Sequence, residues 1–272
     1  MIEHVVDVRG ARIFVREAGT GPTVMLGHAL TFDGEMWAAQ FDAFSRRYRV
    51  LAADFPGHGR SDDPPGPYSL DGLADRIAGV MDALGVRRAA YCGLSMGGMV
   101  GLRLALRRPE RVAALALLNT SASEEDPGKR PFLEEINERS RGKPANEATV
   151  AFLMQLMFSD GFRAREPLTV RRFHDKVFHS TRDGEYWCAR AVLGRDSVED
   201  ALGRIAVPTV VLTSDADVAV PPAHSETLAT RIPGAKFHVL RGVGHMTAVE
   251  AAEEVNAILG AWLDAYRCGE TR

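Results

Sequence analysis

The sequence predicts an α/β protein, a mostly parallel sheet with helices on both faces and a helical insertion. Three observations predict it. Short apolar runs alternate with segments of helical periodicity. Glycine or aspartate follows several of those runs, and one glycine-rich turn lies between a run and a helix. The 272 residues suit one such domain with an insertion, and the composition, 46% hydrophobic and 25% charged, is ordinary for a globular chain.

In chain order, Ile2–Val8 and Arg12–Glu17 read as a hairpin around Arg9-Gly10-Ala11. Thr23–Leu26 and Arg49–Ala53 read as buried strands that stop at Gly27 and Asp54. Ser69 is placed to cap a helix in which Leu73, Ile77, Val80, Met81 and Leu84 recur at helical spacing up to Gly85. Ala89–Cys92 follows as a strand, Gly97–Arg107 as a helix and Val112–Leu118 as a strand. Later come Thr209–Thr213 (strand), Ala223–Arg231 (helix), Lys236–Leu240 (strand) and Ala248–Tyr266 (helix). This order calls for crossover connections between parallel strands.

From Ser123 to Asp196 no strand pattern occurs, charges are frequent, and apolar side chains cluster at Phe152, Leu153, Leu156, Met157 and Phe158. This stretch reads as a helical cap inserted into a core made of residues 1–122 and 197–272.

The formal charge is -3. With its arginines scattered the chain offers no basic field for nucleic acid. Cys92, Cys188 and Cys268 are an odd number without metal-ligand spacing. They suit a reducing compartment, and with no signal-peptide pattern and no apolar span of membrane length a cytoplasmic location is expected. No phosphate-binding or dinucleotide loop and no metal motif is present, so the chemistry expected is cofactor-free.

Gly93-Leu94-Ser95-Met96-Gly97 is the strongest chemical signal. Between a strand and a helix, G-x-S-x-G marks a sharp turn that lifts a serine hydroxyl above the sheet. Glycines two positions either side remove side chains that would collide there. Ser95 needs a base, and His245, in a loop between the last strand and last helix, is the candidate. His58, in the tight loop Asp54–Ser61, is the weaker one. The acid that orients the imidazole is expected after the strand ending near Thr213, where Asp215 and Asp217 both stand. Asp217 is preferred because it has the few residues needed to turn inward; Asp215 is expected to bond local N–H groups. The segment Leu118-Asn119-Thr120, an alternative place for the acid, has no carboxylate. The backbone N–H groups of Leu30 and Met96 are the expected oxyanion donors.

Met154, Met157, Phe158 and Trp187, with Phe152, are candidates to line a substrate pocket in the insertion. Arg163, Arg165, Arg171 and Arg172 are candidates to clamp a carboxylate, against a plainer role on a solvated face.

These motifs resemble the α/β-hydrolase superfamily over nearly the whole chain, through His28 to Trp37, Asp54 to Ser61, Gly93 to Gly98, Asp217 to Pro221 and Gly244-His245. Gly66 to Leu70, Cys92 to Met99 and Arg108 to Val112 are most similar to 3-oxoadipate enol-lactonases and their relatives. Three positions depart from the pattern. Ala29 stands where the family has glycine, Ser214 where glycine often precedes the acid loop, and Thr31 where the perhydrolase-like branch has proline. The resemblance implies a serine hydrolase of a small carboxylic ester or lactone acting through an acyl-enzyme. The alternatives are C–C bond hydrolysis or perhydrolysis on the same triad, or a non-catalytic ligand-binding relative.

Overall fold

The computed structural model describes residues 1–180 and 183–270, the last five by backbone alone. The strands are β1 (Ile2–Val8), β2 (Ala11–Ala18), β3 (Thr23–Gly27), β4 (Arg49–Ala53), β5 (Ala89–Leu94), β6 (Val112–Leu118), β7 (Thr209–Ser214) and β8 (Lys236–Leu240). They form one sheet in the order β1-β2-β4-β3-β5-β6-β7-β8. β1–β2 and β2–β4 pair antiparallel, and the other neighbours pair parallel. The helices before the sixth strand are α1 (Ala38–Phe44), α2 (Leu70–Ala83) and α3 (Met96–Arg107). Between β6 and β7 lie α4 (Arg130–Ser140), α5 (Glu147–Met157), α6 (Asp160–Arg165), α7 (Pro167–Phe178) and α8 (Asp183–Leu193). The last helices are α9 (Pro222–Arg231), α10 (Thr247–Glu250) and α11 (Ala252–Glu270).

Side chains alternate across a strand, so each central strand feeds two cores. Met25, Leu51, Tyr91 and Leu115 pack towards α2 and α3. Val24, Val50, Cys92 and Ala116 pack towards α1 and α11. Ser69 caps α2 by accepting from the Gly72 N–H. Among the described residues no helix is long and apolar enough to cross a membrane.

Two elements differ from the sequence reading. The helix expected over Ala248–Tyr266 is two helices, parted at Ala251 with φ -128° and ψ 44°. The break leaves Glu250 free to turn back onto Gly244 and Ser159, where its carboxylate accepts two backbone N–H groups. The short turn Gly34–Trp37 and α1 were not anticipated. Their signal is Asp33, whose carboxylate caps Glu35, followed by the buried Trp37, Phe41 and Phe44 at helical spacing.

Candidate active site

The elbow is made by sterics. β5 runs into α3 through Ser95, which sits at φ 54° and ψ -119°, a left-handed conformation that strains any residue with a Cβ. Its N–H donates to the Leu118 carbonyl at 2.9 Å, and the Thr120 hydroxyl donates to its carbonyl at 2.7 Å. A Cβ on Gly93 would lie 2.3 Å from Gly97 C, and one on Gly97 would lie 2.1 Å from Gly27 O. Those close approaches press α3 against the end of β3, bringing the loop after Gly27 beside Ser95.

That loop carries Leu30, which lines the same cavity as Ser95 and Met96. Met96 is the first residue of α3, so its N–H has no acceptor within the helix. Two buried imidazoles brace the loop. The Phe55 N–H donates to His28 Nε2 at 2.8 Å, so Nδ1 carries the proton and donates to the Ala29 carbonyl at 2.8 Å. The Thr31 N–H donates to His58 Nε2 at 3.2 Å. His58 thus supports the loop and is not among the residues lining the cavity. Ala29, in the family's glycine position, is buried with its N–H directed at Met36 Sδ, 3.4 Å away.

Burial pushes the His28 imidazole down to about 4. The unfolded chain therefore takes up a proton near pH 6.5 that the folded chain refuses until near pH 4, and stability falls across that window as pH drops. His28→Gln keeps an acceptor for Phe55 without titrating. It should lose about 2–3 kcal/mol less than the parent between pH 7 and 4.5, read from urea midpoints. Asp54, raised by its own burial, works in the opposite direction in both proteins.

On the other side, His245 Nδ1 lies 2.8 Å from Asp217 Oδ2, with both side chains buried. A carboxylate only accepts, so Nδ1 carries the proton and Nε2 remains for an incoming one. Asp217 Oδ2 also accepts from Asn119 Nδ2 at 2.9 Å, while Oδ1 accepts the Ala219 and Val220 N–H groups, each at 2.9 Å. Asn119 was not singled out from the sequence, where it registered only as a missing carboxylate. Its amide also donates to Ser214 Oγ at 2.9 Å and accepts from Thr247 Oγ1 at 2.7 Å. Ser214, in place of the family's glycine, donates to the Gly244 carbonyl at 2.7 Å. Asp215 turns away from His245 and accepts the Gly242 N–H at 2.7 Å.

Three contacts bind the helices after β6 to the loops on both sides. Glu250 Oε1 accepts from Gly244 N and Ser159 N, each at 3.1 Å, and Oε2 accepts from Ser159 Oγ at 2.7 Å. The Met246 N–H donates to the Met157 carbonyl at 3.0 Å. Lys176 Nζ of α7 donates to Asp33 Oδ2 at 2.6 Å and to Glu35 Oε2 at 2.9 Å. Burial opposes its charge, but the two carboxylates raise the ammonium above its ordinary value.

Ser95 and His245 line a cavity of about 630 Å³ between the strand ends and α4, α5 and α8. Of the pocket residues expected from sequence, Met157 and Phe152 line it; Met154, Phe158 and Trp187 do not. Helix periodicity explains the split. Val150, Met154 and Phe158 share the inward side of α5 and pack into the core, whereas Phe152, Leu153, Leu156 and Met157 face the cavity. Trp187 lies against Gly66, where an added Cβ would come within 2.2 Å of its ring. Nor do the four insertion arginines converge: Arg163 pairs with Asp160, Arg171 pairs with Asp175, and Arg165 and Arg172 lie over Phe162 and Phe173. The wall instead holds Arg195, which the sequence does not single out, and His224, which by its place in a helix reads there as an ordinary surface or packing residue. Arg195 Nη1 pairs with Glu125 at 2.8 Å, and His224 Nδ1 lies 3.1 Å from Ser121 Oγ.

Comparison with known proteins agrees with this architecture. The chain is 28% identical over 246 residues to 3-oxoadipate enol-lactonase 2 of Acinetobacter baylyi, covering 90% of each. The enol-lactonase structure from Burkholderia xenovorans LB400 superposes with a TM-score of 0.89 at 30% identity, over 96% of this chain and 100% of that one. A thermophilic esterase from Thermogutta terrifontis gives 0.89 at 26% identity, over 97% and 98%. Residues 22–252 match the family model for the alpha/beta hydrolase fold, and the chain belongs to that family of hydrolases.

Proposed function

We propose that the protein is a cofactor-free serine hydrolase of carboxylic esters or lactones. The observation that carries this reading is the buried Asp217–His245 pair at 2.8 Å, whose imidazole lines one cavity with a serine on a strained turn. Ser95 Oγ gives its proton to His245 Nε2 and attacks the substrate carbonyl. The Leu30 and Met96 N–H groups receive the developing oxyanion, and Asp217 stabilises the imidazolium. The leaving oxygen takes the proton back, and water, activated by the same nitrogen, releases the acid. Helices α4 to α8 act as a cap that shields this chemistry from bulk water.

A fluorophosphonate should label Ser95 stoichiometrically and abolish hydrolysis of p-nitrophenyl esters. Full ester turnover by a protein labelled at Ser95 would refute the assignment. Glu250 bridges the residue before His245 to Ser159. Glu250→Ala should therefore lower kcat about tenfold to a hundredfold through misplacement of the base, with a smaller change in KM.

A further inference from the structure

We infer that this hydrolase takes substrates with a medium-length apolar acyl chain, an inference that rests on the ester or lactone reading. The observation is a helix whose apolar side is left open. Leu133 and Ile136 of α4 face the cavity that Ser95 lines. Yet α4 contains no buried residue, and Phe132 beside them is 56% exposed. Opposite stand Leu153, Leu156 and Met157 of α5, also half-buried. The two helices meet where the Phe132 and Phe152 rings pack edge-on, 6.1 Å between centroids, while Leu133, Ile136, Leu153, Leu156 and Met157 flank an internal space that Ser95 also lines. Such a space is stabilised when an apolar group fills it.

An acetyl group would leave most of the roughly 630 Å³ empty. A chain anchored at its carbonyl on Ser95 would reach under α4 and cover Leu133 and Ile136. The charges on the wall do not call for an anionic chain. Arg195, whose side chain is 4% exposed, is already neutralised by Glu125 at 2.8 Å, and Lys129 and Lys143 at the cavity's edge are exposed to solvent. A carboxylate at the chain's far end would therefore lose hydration and meet only the exposed Lys129 and Lys143, whose attraction water and salt screen.

The test compares p-nitrophenyl acetate, butanoate and octanoate with the half-ester p-nitrophenyl hydrogen suberate, which ends the same eight-carbon chain in a carboxylate. Each methylene buried in the transition state can raise kcat/KM by up to about fourfold, so octanoate should exceed acetate by at least about tenfold. The suberate half-ester should fall below octanoate by a similar factor. Leu133→Asn, a change at a half-exposed site, should reduce the octanoate-to-acetate ratio at least threefold, roughly the share of one lost methylene or more. An octanoate-to-acetate ratio under tenfold, a half-ester matching octanoate, or a ratio untouched by Leu133→Asn would each overturn the inference. Fluorophosphonate labelling separates the two readings. Labelled Ser95 with a preference for acetate removes only the chain, whereas absence of both label and turnover removes the serine hydrolase itself.

Discussion

Ser95→Gly should abolish ester turnover, by about 10⁴-fold or more, and yet make the protein more stable than Ser95→Ala. The Ser95 Cβ is what strains the turn. At φ 54° and ψ -119° a residue with a side chain costs on the order of 1–3 kcal/mol, which glycine largely escapes. Glycine's extra freedom in the unfolded chain offsets up to about 1 kcal/mol of that gain. Alanine keeps the Cβ and so keeps the strain, which makes it the proper reference. Mid-range strain of about 2 kcal/mol less that offset leaves about 1 kcal/mol, so the glycine variant should melt about 2–4 °C above the alanine variant in a chain of this size. Calorimetry on the two inactive proteins measures it. A glycine variant that melts below the alanine variant would mean the turn is not strained.

Asp217→Asn should lower kcat about 10³- to 10⁴-fold while leaving KM within a few-fold of the parent. Four donors converge on this carboxylate: the His245 Nδ1–H, the Asn119 amide, and the Ala219 and Val220 N–H groups. An amide has one oxygen, so in either orientation its NH2 meets donors. Turned towards His245, it drives the proton onto Nε2, the nitrogen proposed to accept from Ser95. Turned towards the loop, it opposes two backbone N–H groups and costs about 1–3 kcal/mol of stability. The variant should therefore be both slow and easier to unfold. Steady-state kinetics with a denaturant titration distinguishes it from a variant that merely loosens the loop, whose kcat would fall far less.

The parts of the site that stood out in the sequence are those whose geometry is local. Gly93, Ser95 and Gly97 announce a tight turn because the collisions they avoid are with neighbours in the chain or at the adjacent strand end. His245 and Asp217 were traceable because loops after parallel strands open on one edge of the sheet. What stayed hidden depends on residues distant in sequence. Asn119 meets Asp217 across 98 positions, Ser159 meets Glu250 across 91, and Asp33 meets Lys176 across 143. Nothing in the spacing of those residues marks them. The pocket lining was legible only in part, for a different reason: apolar residues crowd α5 all round, so composition does not reveal that Met157 faces the cavity and Met154 the core. The break at Ala251 was equally invisible, because Thr247 to Glu270 contains no proline and no glycine until Gly260.

The bonds from Glu250 to Ser159 and from Lys176 to Asp33 and Glu35 lie at the α5–α7 end of the helices that follow β6. That end is riveted to the loops carrying His245 and Leu30. The far side has the exposed Phe132 and Val218, both at the cavity wall. Helix α4 is tied instead to α8, where Asn137 donates to the Tyr186 carbonyl and Glu138 accepts from the Tyr186 hydroxyl and from Arg190. A molecule wedged beneath α4 should therefore strain the bonds to α8 first, while the riveted side keeps the loops of His245 and Leu30 in register.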